Sequence, residues 1–352
     1  MIDQALNNAT NDYLIKLLTQ IQFPIQQPED DVKAKSNIIE FIFSKINRKK
    51  FRRKQLSEKS QDVIRNKIKI SVEAKNPIHF VVPFGGYKHF WNPSHPEPDW
   101  AELFHFRYIT EYVLPILQMY NPGVIVEYVS EDLILPRMNN YPDEAIEKYI
   151  SVFKSILDWY KTYVPKNLQF RFFRVSDRCD KEKIVQEVEA LLPERKKTFI
   201  KLSDEAKLLE LKRSNRSMYW KGKLDLSNLE DGQKQERIIE SRLIELAYYD
   251  TEAKPEYLGN YLGEDDHICI CFSFGLSPDN ALDDLTLGST FGSIVDYWIG
   301  RGVLEHVDGK FNPRIVSHNQ YEEVLHNVER VKTSLIIPGK NLSEIEVIPP
   351  LF

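Results

Sequence analysis

Residues 77–132 read PIHFVVPFGGYKHFWNPSHPEPDWAELFHFRYITEYVLPILQMYNPGVIVEYVSED, and this stretch decides the fold. An apolar run from Ile78 to Val82 predicts a strand that ends in a glycine-rich turn. A helix is predicted to open at Pro98-Asp99 and to close at Asn121-Pro122-Gly123. A second apolar run, Val124 to Val129, predicts the next strand. Strand, helix and strand in this order are typical of a parallel sheet.

The alternation of helix and strand continues beyond this stretch. Apolar residues at helical spacing predict a long amphipathic helix over 142–163. A third strand is predicted over 168–175, and the next helix over 181–192 with its stop at Pro193. The first half of the chain therefore predicts further strand–helix units.

The second half of the chain combines charged helices with hairpin signals. Helices are predicted over 203–221 and 233–249, with a turn at Asp231-Gly232 between them. The continuous apolar run 268–274 predicts a strand in the middle of a sheet. Asp308-Gly309 is a strong hairpin signal.

These patterns together predict an α/β protein. We expect a Rossmann-like, mainly parallel sheet with helices on both faces, followed by an α+β lobe with antiparallel hairpins. A chain of 352 residues is long for a single core. The expected division is an N-terminal helical segment (1–75), a Rossmann-like α/β domain (76–200) and a C-terminal α+β lobe (201–352).

The composition is that of an ordinary globular protein. Hydrophobic residues make up 42% and charged residues 28%, and the net charge is −5. This balance gives no reason to expect nucleic acid or an anionic membrane as a partner. The N-terminus lacks a signal-peptide pattern, and no apolar run approaches the ~20 residues that a membrane span requires. We therefore expect a cytoplasmic protein whose partners are small-molecule substrates.

Polar side chains gather where the predicted strands end. The carboxyl ends of the strands in an open parallel sheet are where ligands bind, so we expect a site there. No GxxxxGK[ST] or GxGxxG motif is present, which argues against a nucleotide or dinucleotide site. The histidine spacing matches no standard ligand pattern, so no metal is expected. The candidate residues are Tyr87, Lys88, His89, Asp99, Glu102, Ser130, Glu131, Asp132, Asp177, Arg178 and Arg314.

Each candidate also has a purely structural interpretation. Lys88 would then be a surface lysine, and Asp99 and Glu102 would form the capping box of a helix. The segment 130–132 would be a turn, and Asp177 and Arg178 would pair with each other. The residue types alone do not decide between these interpretations.

The order of these motifs resembles the pyoverdine/dityrosine biosynthesis family, the isonitrile (isocyanide) synthases. The resemblance extends over roughly residues 36–325 and implies a Rossmann-like domain with an additional lobe. The residues that carry it are Pro83-Phe84 with Lys88, Pro98-Asp99-Trp100-Ala101-Glu102, Tyr120-Asn121-Pro122-Gly123 and Ser130-Glu131-Asp132.

The resemblance implies a reaction in secondary metabolism. The amine of an amino acid, typically tyrosine or tryptophan, condenses with the ketone of ribulose 5-phosphate, and fragmentation leaves one carbon on the nitrogen as an isonitrile. No metal or organic cofactor is implied. Lys88 would hold a phosphate or a carboxylate, and Asp99 and Glu102 would recognise the amine or transfer protons. Ser130 and Asp132 would contact sugar hydroxyls.

We therefore expect one group of candidates to act in catalysis and another to bind substrate. The expected catalytic residues are Lys88, Asp99, Glu102 and Asp132. The expected substrate-binding residues are Ser130, Glu131, Tyr87, His89, Asp177, Arg178 and Arg314.

The chain also departs from the family pattern. Ser130-Glu131-Asp132 stands where the family has Ser-Asp-Gly. The segments 268–278 and 289–293 lack the arginine and the histidines that the family carries there. Two alternatives therefore remain. One is a non-catalytic descendant that binds a ligand or a partner protein, with the basic run 45–54 as the partner surface. The other is another Rossmann-like group transferase.

Overall fold

The computed structural model describes residues 4–85, 88, 95–133, 143–221, 229–252, 254, 256–257, 266–271, 285–293 and 295–351. The helices are α1 (Gln4–Thr19), α2 (Pro28–Ser36), α3 (Ile38–Ile46), α4 (Glu58–Glu73), α5 (Trp100–Met119), α6 (Asp143–Tyr160), α7 (Lys181–Lys201), α8 (Asp204–Lys221), α9 (Asp231–Glu252) and α10 (His318–Val324). The strands are β1 (Ile78–Phe84), β2 (Val124–Ser130), β3 (Leu168–Arg174), β4 (His267–Cys271), β5 (Leu285–Thr286), β6 (Arg301–Val307), β7 (Lys310–Val316), β8 (Glu329–Lys332) and β9 (Glu344–Ile348).

The first five strands form one parallel sheet in the order β3-β2-β1-β4-β5. At its centre, Phe80 of β1 pairs with Val126 of β2 on one side and with Ile268 of β4 on the other. The strand order reverses between β1 and β4, and such a switch point is where open α/β sheets bind ligands. The predicted α/β class with a mainly parallel sheet is confirmed. Because β4 and β5 belong to this sheet, its strands come from both sides of the expected boundary at residue 200.

Helices cover both faces of the parallel sheet. Side chains alternate between the faces along each strand, so Phe80 and Val81 point in opposite directions. Phe80 belongs to the larger core, which also contains residues of α3, α5 and α6. Val81 belongs to a smaller core with Val188 of α7 and Ala247 of α9. Because both faces of the sheet are covered, the sequences of its strands are nearly continuous apolar runs.

Helix α5 lies in the larger core and ends where the sequence predicts. Fifteen of its residues are buried, so it is a central helix rather than an amphipathic surface helix. Asp99 is its N-cap. The turn after it requires Gly123, which has φ of 82° and whose added Cβ would lie 1.9 Å from the Asn167 carbonyl oxygen.

The last four strands form a second, mixed sheet in the order β7-β6-β9-β8. Asp308 and Gly309 join β6 to β7 with φ of 49° and 74°, which confirms the predicted hairpin. The C-terminal segment adds β9, which runs parallel to β6, with Leu304 opposite Val347. The expected α+β region with antiparallel strands is therefore present.

Two predicted helix boundaries are wrong. Helix α7 continues through Pro193 to Lys201, and this extension buries Phe199, which helps to offset the cost of a proline inside a helix. Asp231 and Gly232 do not form a separate turn but begin α9. No helix in the described ranges is long and apolar enough to cross a lipid bilayer.

Candidate active site

The carboxyl ends of β1 and β2 lie side by side, and β1 also borders the switch point between β1 and β4. Phe84, the last residue of β1, pairs with Ser130, the last residue of β2. The backbone N–H of Glu131 then donates to the Phe84 carbonyl at 2.9 Å. Ser130 and Glu131 are both buried. The sheet therefore brings the segment after β1, which carries Lys88, next to the segment after β2.

Lys88 is buried between two carboxylates and is not a surface lysine. Its Nζ donates to Asp99 Oδ1 at 2.9 Å and to Glu102 Oε2 at 2.6 Å. Lys88 and Glu102 are fully inaccessible to solvent, and Asp99 is only 4% exposed. Such ion pairs need additional hydrogen bonds, because removing charges from water is costly. We call Lys88, Asp99 and Glu102, together with Tyr149, the Lys88 cluster.

The start of α5 holds the two carboxylates in place. Asp99 Oδ1 accepts from the Ala101 N–H at 2.7 Å, and Glu102 Oε2 accepts from the Asp99 N–H at 2.7 Å. These bonds complete the capping box that the sequence allows. The capping interpretation and the cluster are therefore compatible, because the same oxygens also accept from Lys88.

Two other elements complete the surroundings of these carboxylates. Tyr149 of α6 donates its hydroxyl to Glu102 Oε1 at 2.8 Å. The Gly302 N–H of β6 donates to Asp99 Oδ1 at 3.2 Å. The second oxygen of Asp99, Oδ2, is buried and accepts no hydrogen bond in the described structure. Within the described residues, it is the one oxygen of the two carboxylates without a hydrogen-bond donor.

Burial controls the protonation of Glu102. Removal from water raises the pKa of Glu102, the Lys88 ammonium lowers it, and the nearby Asp99 carboxylate raises it. The net result is a pKa of about 7. Burial and the neighbouring Glu102 also raise the pKa of Tyr149 well above its ordinary value, so its hydroxyl stays protonated. A carboxyl group with a pKa of about 7 is able both to accept and to donate a proton at neutral pH.

Asp132 has a different set of partners from those of the Lys88 cluster. Its carboxylate accepts from Arg174 Nε at 2.6 Å, from the Ser176 N–H at 3.0 Å and from the Ser176 hydroxyl at 2.5 Å. Arg174 also donates to Glu147 of α6. Asp132 therefore ties the end of β2 to the end of β3. The contacts of Asp132 thus have a structural role, and its catalytic role stays a prediction.

The remaining candidates lie elsewhere. Asp177 and Arg178 are exposed, and the Arg178 guanidinium lies 4.4 Å from the centre of the Phe173 ring. Arg314 on β7 donates to Glu305 at 3.0 Å and lines a separate cavity. Tyr87 and His89 lie outside the described residues.

Sequence reasoning did not find every residue that completes the site. Tyr149 falls on the apolar face of the helix predicted over 142–163, which gives no functional role, although a buried tyrosine hydroxyl usually needs a partner. Gly302 contributes through its backbone N–H; a glycine in a strand can indicate a close approach of backbones, but the sequence does not show that the partner is Asp99. Among the described residues, no group of three or more histidine, cysteine, aspartate or glutamate side chains is arranged to hold a metal ion.

Comparison with known proteins supports the fold. No protein-family model matches the sequence, and a search of curated proteins finds no match. The chain is similar to the crystal structure of the PvcA protein from Pseudomonas aeruginosa, with a TM-score of 0.56 and 18% identity over 85% of this chain and 96% of that chain. The similarity to tyrosyl-tRNA synthetase from Aeropyrum pernix, with a TM-score of 0.28, 10% identity and coverage of 71% and 60%, is too low to carry an argument. The molecule is thus an α/β protein with a PvcA-like fold.

Proposed function

We propose that this protein is an isonitrile-synthase-like enzyme that acts on the amine of an amino acid, with tyrosine and tryptophan as the first candidates. A sugar phosphate such as ribulose 5-phosphate would be the co-substrate. The proposal is supported by the PvcA-like fold and by the motif resemblance at Lys88, Asp99 and Glu102. The observation that carries it is the buried Lys88 cluster at the carboxyl end of β1.

The cluster suits the proton transfers that this chemistry requires. Condensation of an amine with a ketone forms a carbinolamine, which loses water to give an imine, and each step moves protons. Glu102, with its pKa of about 7, would supply and remove them. The free Oδ2 of Asp99 would accept from the substrate ammonium. Lys88 balances the two carboxylates, and a ligand phosphate would reach its amine only by displacing one of them.

Binding of the two substrates is the direct test of the proposal. Thermal-shift measurements with tyrosine or tryptophan, each with and without ribulose 5-phosphate, should show the largest stabilisation when both are present. The Glu102→Gln variant should stay folded, because glutamine has the shape of the protonated acid, and should lose this additional stabilisation. Glu73→Gln, at an exposed position of α4, is the matched control and should respond like the wild type. The proposal would be contradicted if neither tyrosine nor tryptophan, together with ribulose 5-phosphate, stabilised the protein.

A second candidate function is a binding protein that has kept the fold without the reaction. It is favoured by the burial of Lys88, whose amine already binds both carboxylates. Mass spectrometry of a stabilising pair distinguishes the two candidates. An enzyme converts the amino acid to a product with one more carbon and two fewer hydrogens, whereas a binding protein returns both ligands unchanged.

A further inference from the structure

A cavity of about 400 Å³ lies beside the end of β5. Its walls come from the connection between α3 and α4, from α5, from residues 288–292 and from β7. None of Lys88, Asp99 and Glu102 lines it, so it is separate from the Lys88 cluster. Its volume falls in the range of small-molecule sites.

Three aromatic rings form one wall of this cavity. Phe51 and Tyr108 lie 5.2 Å apart between ring centres, and Tyr108 and Phe291 lie 5.5 Å apart with the rings nearly perpendicular. The Tyr108 hydroxyl donates to the Gly288 carbonyl at 3.3 Å. Burial raises the pKa of Tyr108 to about 12, so this bond persists at neutral pH. The rings are therefore fixed against each other and offer a surface for a planar apolar group.

Two cationic side chains from different elements line the same cavity. Lys50 is exposed on the connection between α3 and α4. Arg314 is held by Glu305, which accepts from Nε at 3.0 Å, and by the Phe291 carbonyl, which accepts from Nη1 at 2.7 Å. Within the described part of the chain, Arg314 keeps Nη2 for a ligand. A guanidinium that is already oriented loses little freedom when it binds an anion.

The loop that carries Phe291 is held in an unfavourable conformation. Phe291 has φ of 51° and ψ of 33°, and Gly292 follows with φ of 73°. Residues with a Cβ rarely adopt this left-handed region, and such positions concentrate at functional sites and ligand clamps. The surrounding contacts therefore keep the Phe291 ring at the cavity at the expense of backbone strain.

The charge of the cavity selects among anions. Glu111 also lines it and places a carboxylate near the two cations, with one of its oxygens 3.1 Å from Arg107. Among the described residues Glu305 offsets Arg314 and Glu111 offsets Arg107, so the positive charge of Lys50 remains. One carboxylate is balanced by this charge, whereas the second negative charge of a phosphate ester is not, and Glu111 repels it. We propose that this cavity binds a small aromatic monocarboxylate, with its ring against the aromatic wall and its carboxylate between Lys50 and Arg314.

Calorimetric titration with 3-phenylpropanoate tests the proposal. This probe has no amine, so the result does not depend on the reaction proposed above. The wild type should bind it saturably with a Kd on the order of 1 mM or tighter. Lys50→Gln should weaken binding about tenfold, because a charge-assisted hydrogen bond is lost. Lys49→Gln, a neighbouring exposed lysine that does not line the cavity, should bind like the wild type.

Two further variants keep the test independent of folding defects. Phe291→Gly should abolish binding and retain the fold, since glycine adopts the left-handed conformation without strain. Glu111→Gln should allow phenyl phosphate to bind, which the wild type should reject. No binding by the wild type, tight binding of phenyl phosphate by the wild type, or binding that is unaffected by Lys50→Gln and Phe291→Gly would each overturn the proposal.

Discussion

Glu102 has the environment that most favours proton transfer at neutral pH among the residues of the Lys88 cluster. Its side chain is fully buried, has Lys88 as its only bonded cation among the described residues, and accepts from the neutral Tyr149 hydroxyl. The loss of hydration outweighs the attraction of the ammonium, so the pKa is raised to about 7. The Glu102 carboxyl therefore changes between its neutral and its charged form near neutral pH.

This shift predicts a pH dependence of stability. The ordinary pKa of 4.5 applies in the unfolded chain, and the folded state binds the proton more tightly. The contribution of Glu102 to the free energy of unfolding is therefore fully present below about pH 4.5 and decreases as the pH rises through about 7. Denaturant unfolding across this window should show that the wild type loses stability relative to Glu102→Gln. A difference that stays constant or grows with pH would contradict the raised pKa.

Asp132 represents a different use of a carboxylate at a strand end. Its side chain is fully buried and holds Arg174 and Ser176, so Asp132→Asn should lower the free energy of unfolding by about 3 kcal/mol. Glu147→Gln removes the other, largely exposed partner of Arg174 and should cost less than about 1 kcal/mol. Denaturant unfolding of both variants gives the comparison. Equal losses would mean that Asp132 is not the bridge between β2 and β3.

Among the elements, the contact between β6 and the start of α5 matters most for the site. A Cβ on Gly302 would lie 2.2 Å from the Ala101 nitrogen and 2.4 Å from the Trp100 carbonyl carbon. Only glycine lets the backbone of β6 come this close to the start of α5. This short distance allows the Gly302 N–H to donate to Asp99. The second sheet thus positions the Lys88 cluster through its backbone.

Gly302→Ala should separate β6 from α5. The added methyl group meets backbone atoms that have no room to move, so we expect a loss of about 1–3 kcal/mol in the free energy of unfolding. Gly232→Ala is the matched control, because nothing lies within 4 Å of its added Cβ. In the first turn of α9 it should be neutral or stabilising by about 0.5–1 kcal/mol. Similar effects of the two substitutions would show that β6 does not depend on this close approach.

For the whole molecule, local patterns in the sequence predicted much of the fold. The apolar runs of β1 to β3, the helices between them and the Asp308-Gly309 hairpin are encoded in short segments. The pairing of β9 with β6 is not encoded in a short segment. It brings Leu304 next to Val347, and these residues are too far apart in the sequence for a turn motif to predict their contact. The passage of α7 through Pro193 likewise depends on packing against α9.

The candidate site shows the same limit. The rule that ligands bind at strand ends pointed to Lys88 and Asp132 equally, since both follow parallel strands. Which carboxylate each cation binds depends on side-chain geometry, and Asp132 binds Arg174 whereas Lys88 binds Asp99 and Glu102. The sequence allowed both a capping box and a site at Asp99 and Glu102, and the structure shows that the oxygens of the capping box also accept from the buried Lys88.

Transfer of labelled carbon tests the central claim most directly. The protein is incubated with tyrosine or tryptophan and uniformly carbon-13-labelled ribulose 5-phosphate, and the products are analysed by mass spectrometry. We predict a product that carries one labelled carbon on the amino-acid nitrogen and has lost two hydrogens, formed by the wild type and not by Glu102→Gln. The absence of a labelled product with either amino acid, or an equal yield from the variant, would contradict the assignment of an isonitrile-forming site to the Lys88 cluster.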